Sequence, residues 1–274
     1  MHPKEEIKIK PPGSVSFDLS AIWQYRELLY FFVWRDLKVK YKQAYLGMLW
    51  AILQPLLLMG LFYFIFFRSL GVNVGMNYSL FAFSGLVLWG LFYNGINQSS
   101  ESLLSNAPII RKIYFPRLLI PLSSILSAFI DFIFALAVLI ILIFAVNQHV
   151  DPMQLAYPLL AIIIIVLAAF GIGTLLSALT IKYKDFRYLL PFLLQVLFFG
   201  SQVVYSMQTL EPAWLKRILY IHPMNGALEL FRAPFYNASI YWPGVLISMA
   251  ASFFFLLIGL YYFKKTETYF ADVL

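Results

Sequence analysis

Six mostly apolar stretches, at about 46–67, 79–97, 118–146, 155–181, 188–206 and 243–263, alternate with shorter polar segments. A bilayer core of about 30 Å takes about 20 apolar helical residues to cross, and each stretch approaches that length. The pattern therefore predicts an all-α integral membrane protein with six transmembrane helices. The stretch 188–206 is the weakest of them. Pro55 lies inside the first stretch, whereas Pro121 and Pro191 lie near the starts of the third and fifth, so a kink is expected foremost in the first. Ala169, Gly173 and Ser177 recur every four residues and give the fourth span a smooth strip. Such a strip suits close packing within one subunit or between two.

The polar segments have patterns of their own. Residues 1–19 mix charges with Pro11, Pro12 and Gly13, a composition that resists regular structure. From Ser20, a candidate N-cap, residues 20–35 place Ile22, Tyr25, Leu29, Phe32 and Val33 on one helical arc, with Gln24, Glu27 and Arg35 roughly opposite. This predicts an amphipathic helix in the membrane interface, with Trp23, Arg26, Trp34, Arg35 and Asp36 as its interface residues. Phe31 falls on the polar side, and a helix buried against neighbouring spans is the alternative. Residues 207–242 form one long connection that is too apolar for a solvated loop. Two short helical pieces, about 211–221 and 224–234, are separated there by His222 and Pro223, and both read as re-entrant or capping helices at the outer mouth. Asn237 and Ser239 form a glycosylation sequon of the kind that also occurs by chance. The chain thus divides into a cytosolic N-terminal segment with the interface helix (1–43), a six-span domain (44–263) and a cytosolic tail (264–274).

Composition supports lipid as the solvent, since 62% of residues are hydrophobic and only 12% charged. The net charge of +7 lies in short segments between apolar runs rather than on one soluble face, which argues for topology and against nucleic acid. Of the 20 Lys and Arg residues, sixteen fall in the N-terminal segment, the loops near 98–117 and 182–187, and the tail. Four fall on the other side: Arg68, Lys216, Arg217 and Arg232. That asymmetry predicts cytosolic termini. The chain has no cysteine, which excludes disulfides and thiolate metal sites.

Catalytic signatures are absent. There is no G-x-x-x-x-G-K-[ST] phosphate loop, no G-x-S-x-G and no H-E-x-x-H. His2, His149 and His222 are scattered and lack partners at ligand spacing, so no metal site is expected. Asp131 is the single acid within the spans, which fits either a satisfied structural hydrogen bond or a role in gating.

The run Trp34-Arg35-Asp36-Leu37-Lys38-Val39-Lys40-Tyr41-Lys42-Gln43, followed by Leu46-Gly47-Met48-Leu49-Trp50-Ala51 and Gln54-Pro55, resembles the entry into the first span of ABC-2 type permeases of the polysaccharide exporter family. Ile113-Tyr114-Phe115-Pro116-Arg117 and Ile181-Lys182-Tyr183-Lys184-Asp185-Phe186-Arg187 are similar to its two cytosolic loops. His222-Pro223-Met224-Asn225, with Glu229-Leu230-Phe231-Arg232, is similar to its outer-mouth region, where Asn would be more usual than His before the proline. Thr266-Glu267-Thr268-Tyr269-Phe270-Ala271-Asp272-Val273 is similar to its tail.

The resemblance implies a homodimer in the bacterial cytoplasmic (inner) membrane, paired with two copies of a separate ATPase subunit that binds ATP and Mg. This chain would then be no enzyme, would carry no cofactor, and would export a lipid-linked polysaccharide of the O-antigen, capsule or teichoic acid class through lipid surroundings. An exporter of drugs or small lipids would share the fold but commonly carries a large extracellular insertion, for which residues 68–78 leave no room. A membrane enzyme of lipid-linked sugars would need paired carboxylates or a metal site, which the loops do not supply. His222, Pro223, Glu229 and Arg232 are the candidate outer-mouth gate. The segment from Glu101 to Arg117, with Ser99 and Ser100 as candidate helix caps and Arg111, Lys112 and Tyr114 between, is the candidate docking site for the ATPase; a solvated loop that only sets orientation is the alternative. The aromatic share of 19% exceeds the need of interfacial belts, and aromatic faces can stack on sugar rings without fixing one register. Phe62, Tyr63, Phe66, Trp89, Phe92, Tyr93, Phe198, Phe199 and Tyr205 are therefore the candidate substrate path, with lipid-facing packing the alternative for each taken alone.

Overall fold

The computed structural model describes residues 19–42, 47–207, 210–236 and 239–270. The lead-in before Leu19, Asn237 of the sequon and the tail beyond Phe270 lie outside the described residues. Helices joined by turns and irregular loops make up the described chain, with α1 (Leu19–Gln24), α2 (Arg26–Lys42) and α3 (Trp50–Phe62), which a short turn at Gly47–Leu49 precedes and a wide π-helical segment, Tyr63–Ser69, continues. Then follow α4 (Tyr78–Ser105), α5 (Ala107–Ile110), α6 (Leu119–Ala145), α7 (Ala156–Lys182), α8 (Phe186–Phe199), α9 (Ala213–Leu219), α10 (Pro223–Arg232) and α11 (Trp242–Thr266).

Among the described residues, five helical segments are long and apolar enough to cross a membrane: Gly47–Ser69, Tyr78–Ser105, Leu119–Ala145, Pro152–Lys182 and Trp242–Thr266. The stretch read as a fifth span forms only the 14 residues of α8, about 21 Å at 1.5 Å per residue, and stops at Gly200. Directions follow from close approaches. A Cβ added at Gly95 would lie 3.4 Å from Ala169 Cβ, and one added at Gly173 would lie 2.7 Å from the Ser99 side chain, so α4 and α7 run parallel. Tyr157 stacks edge-on to Trp242 at 5.8 Å, and a Cβ at Gly171 would lie 2.5 Å from Leu256 Cα, so α7 and α11 also run parallel. The chain between them must therefore return from one end of the bundle to the other, through α8, α9 and α10.

The strip Ala169, Gly173, Ser177 thus serves packing inside the chain rather than between copies. Its small residues let α7 approach α4 closely, while Gly171 and Gly259 do the same for α7 and α11. The core is built around α4, which is buried along most of its length, whereas no residue of Gly47–Ser69 is buried. At one end a second cluster joins Phe32 of α2, Phe115, Leu119, Ile181, Phe263 and Phe270. Both ends of the described chain therefore lie at the same end of the bundle.

Two expectations change. The interface helix does not stop at 35: the chain breaks at Tyr25, and α2 continues through the charged run to Lys42. Arg35 turns inward to donate to Asn106 Oδ1 at 2.6 Å, at the end of α4, and Ser123 of α6 donates to Asp36 at 3.5 Å, because both elements offer α2 polar partners. Ser99 and Ser100 are not caps; α4 runs past both, and they are buried where small side chains fit between helices. Asn106 ends α4, its Nδ2 donating to Ser102 O at 2.7 Å, and Pro108 follows.

Candidate functional site

Seven of the nine aromatics singled out in the sequence form one continuous row contributed by α3 with its π-helical continuation, α4 and α8. Phe66 packs on Phe62 at 5.9 Å, Phe62 stacks on Phe198 at 5.9 Å, and Phe198 meets Trp89 edge-on at 5.2 Å. Trp89 contacts Phe92 and Tyr93, and Phe199 adjoins Phe198 at 5.5 Å. The row grades outward: Phe92 is fully buried, Phe62, Phe66, Tyr93 and Phe198 are half-buried, and Phe199 is 59% exposed. Tyr63 lies outside the row, stacked on Phe67, which in turn stacks on Tyr78. Tyr205 donates to Phe199 O at 3.0 Å and so secures the end of α8. Ring edges and faces in offset contact favour such rows, and their exposed end presents a stacking surface.

The outer-mouth residues close against this row. Pro223 occupies the first turn of α10, where its missing N–H is no loss, and His222 is the cap, its Nδ1 accepting from Met224 N at 3.0 Å. The imidazole packs on Phe92 at 5.5 Å and on Trp89 at 6.3 Å. Asn225 fixes α10 to the turn after α8, donating to Gly200 O at 3.0 Å and Leu219 O at 2.7 Å while accepting from Gln202 N at 2.8 Å. Glu229 accepts from the Tyr220 hydroxyl and from Tyr241 N at 2.9 Å. Burial pushes its carboxyl above the usual range, and those donors with Lys216 and Arg232 offset this only in part. Arg232, 2% exposed, is held by main-chain carbonyls rather than by a carboxylate: Gln202 O at 2.8 Å, Phe81 O at 2.8 Å and Val203 O at 3.1 Å, with Ser84 Oγ at 3.1 Å.

Burial pushes the His222 imidazole down to about 4. Stability held above the ordinary histidine value is therefore lost as pH falls through the depressed one, by about 3 kcal/mol for such a shift. The unfolding midpoint in detergent is expected to fall between pH 7 and 4, and His222→Asn, which keeps the cap acceptor, is expected to remove much of that fall. Identical pH profiles for the two proteins would contradict this.

At the opposite end, Glu101 pairs with Arg187 of α8 at 3.4 Å, both about half exposed. Arg111, Lys112 and Tyr114 project around an open hollow of about 190 Å³, with Tyr114 85% exposed. Arg117 also borders this hollow but is partly buried. Its guanidinium donates to Glu267 O and its N–H to Glu267 Oε1 at 3.4 Å, which ties the loop to the tail. Along the N-terminal helices, Arg26 sits over exposed Trp23 at 5.5 Å and Lys38 over exposed Trp34 at 4.3 Å, while Arg35 pairs with Asp36 at 2.6 Å.

The sequence left Asp131 without a partner. Lys40 and Tyr41, at the end of α2, both donate to its carboxylate, one to each oxygen. Their distance in sequence, about ninety residues, hid them; a mid-span carboxylate and an excess of cations just before the first span were the only signal.

Residues 27–236 match the family described as "ABC-2 type transporter". The chain is 30% identical to the O-antigen export system permease protein RfbA of Klebsiella pneumoniae over 88% of its own length and 92% of that protein. It is 25% identical to the protein of the same name from Myxococcus xanthus, over 84% and 88% of the two lengths. The polysialic acid transport protein KpsM of Escherichia coli is 24% identical, over 85% and 91%.

Proposed function

Because the chain belongs to the ABC-2 type transporter family, we propose that it is the membrane-spanning permease subunit of an exporter that moves a lipid-linked polysaccharide across the bacterial inner membrane. The observation that carries the reading is its near end-to-end likeness to permeases and transport proteins named for O-antigen and polysialic acid export. The row of aromatics between α3, α4 and α8 supports it, since stacking faces hold sugar rings without locking a repeating chain in one place. Lacking a phosphate loop, the chain draws on ATP hydrolysed, with Mg, by two copies of a separate subunit.

On this reading α8 with the turn after it is the sixth crossing, and the excess of Lys and Arg puts α2, the 106–118 loop and the tail in the cytosol. Residues 1–43 form the cytosolic segment, 44–263 the transmembrane domain and 264–274 the tail. Arg111, Lys112 and Tyr114 meet the ATPase, with Glu101 and Arg117 holding their loop to α8 and to the tail. Trp23, Arg26 and Trp34 anchor the N-terminal helices at the membrane surface, and α9 and α10, with His222, Pro223, Glu229 and Arg232, gate the outer mouth. Two copies associate through faces that one chain leaves uncovered, those of α3 and α8.

The test is reconstitution. The purified chain is expected to hydrolyse no ATP, and vesicles holding it with its ATPase are expected to export glycan only when ATP is present. Arg111→Glu with Lys112→Glu is expected to abolish export while insertion persists. ATP hydrolysis by the permease alone, sensitive to its mutation, would refute the division of labour; normal export by the double variant would refute the docking assignment.

A further inference from the structure

The end of α2 is tied to the rest of the chain at three heights. Arg35 bonds Asn106 at the base of the loop, Asp36 accepts from Ser123 in the second turn of α6, and Lys40 and Tyr41 reach Asp131. Asp131 lies twelve residues into α6, about 18 Å along its axis. From Asp36 to Lys40 α2 advances only about 6 Å. The lysine stem and tyrosine ring span the remainder. Beyond them the chain leads into Gly47–Ser69, the long apolar segment with no buried residue. Among the described residues, the grip of Asp131 is therefore the last side-chain attachment of α2 before that segment.

An ion pair at this depth is a poor way to gain stability. Two apolar side chains of like volume commonly hold a buried contact as well or better, because desolvating both charges offsets their attraction. An ionic contact differs in that it can be broken and remade, provided the cation has somewhere to go. Lys40 is about one-third exposed, so water reaches its ammonium. Ser127 stands one helical turn from Asp131 on the same face, toward the loop, and its hydroxyl is buried without a partner. It offers a second acceptor if α2 slides by one turn, about 5.4 Å.

We propose that Asp131 is a positioning residue of the transport cycle. By alternately holding and releasing Lys40 and Tyr41, it passes movement of α2 and the 106–118 loop into the middle of α6 and the start of α3. The inference rests on the reading of the chain as the membrane half of an ATP-driven exporter.

The experiment uses the permease with its ATPase in proteoliposomes, measuring ATP hydrolysis and glycan export on the same sample. Wild-type export must depend on ATP; if it does not, the parent reading fails and not this one. Asp131→Asn keeps the volume and an acceptor for Tyr41, so the complex is expected to assemble. It should hydrolyse ATP near the wild-type rate while export falls about tenfold, within the range by which coupling residues act. Lys40→Met with Tyr41→Phe and Asp131→Leu, which removes every polar partner of the contact, should melt no lower than wild type and show the same uncoupling. Lys40→Glu with Asp131→Lys should recover most of the export in assembled complexes. Normal export in Asp131→Asn, hydrolysis and export falling together in both folded variants, or an assembled swap that recovers nothing would each overturn the proposal.

Discussion

Arg232→Met is expected to yield almost no folded permease. The guanidinium sits at the meeting point of α4, the turn after α8 and α10, where it donates to three main-chain carbonyls and to Ser84. Methionine fills much of the volume but leaves Gln202 O and Val203 O without their donor, while Phe81 O keeps the Ser84 hydroxyl. Each buried unsatisfied group costs about 1–3 kcal/mol, so the loss reaches several kcal/mol, comparable with the stability of a domain. Arg232→Lys should recover little, because an ammonium on a flexible stem does not reproduce a planar fork with five donors. Gly85→Ala attacks the same point from the other side, as its Cβ would lie 2.6 Å from Arg232 Nη2 and 2.9 Å from Val203 O. Yield after solubilisation and the thermal unfolding midpoint measure both variants. An Arg232→Met protein that purifies as one species and unfolds within a few degrees of wild type would show that the carbonyls find other donors.

Gly259→Val should be as damaging for a different reason. A Cβ there would lie 2.0 Å from Gly171 O and 2.8 Å from Thr174 Oγ1, and neither backbone can yield without parting α7 from α11. In lipid, helix association depends on close packing rather than on exclusion of water, so separating two helices along their length forfeits most of what joins them. Overpacking of this kind costs at least about 1–3 kcal/mol even where the neighbours can shift. Protease resistance of membranes carrying the variant gives the readout. A wild-type digestion pattern would mean that the two helices re-pack at another crossing.

The sequence located the spans because a bilayer imposes a single length on apolar helices, and α4, α6, α7 and α11 obey it. It did not reveal that α8 ends at Gly200, since Gln202 and Val203 stay buried by bonding to Asn225 and Arg232 rather than by continuing the helix. Aromatic spacing of three or four identified faces, so Phe62 with Phe66 and Trp89 with Phe92 were legible as pairs. That Phe62 would stack on Phe198 was not, because periodicity says nothing of which helix stands opposite. Two uses of small residues were also confused. Ser99 and Ser100 suggested a cap but serve packing, and the strip through Gly173 drew notice away from Gly171 on another face of the same helix. Asp131 was visible as an oddity, and only folding brought its cation.

The short α8 also sets a thickness. On the proposed reading of α8 as the sixth crossing, it covers about 21 Å of a hydrocarbon layer that is about 30 Å deep, and turn backbone whose carbonyls are met by side chains of α10 completes the crossing. For a polymer covered in hydroxyl groups, the work of leaving bulk water grows with the length of chain that is dry at one time. With α8 in the wall of the proposed path, that length is governed by the shortest helix there.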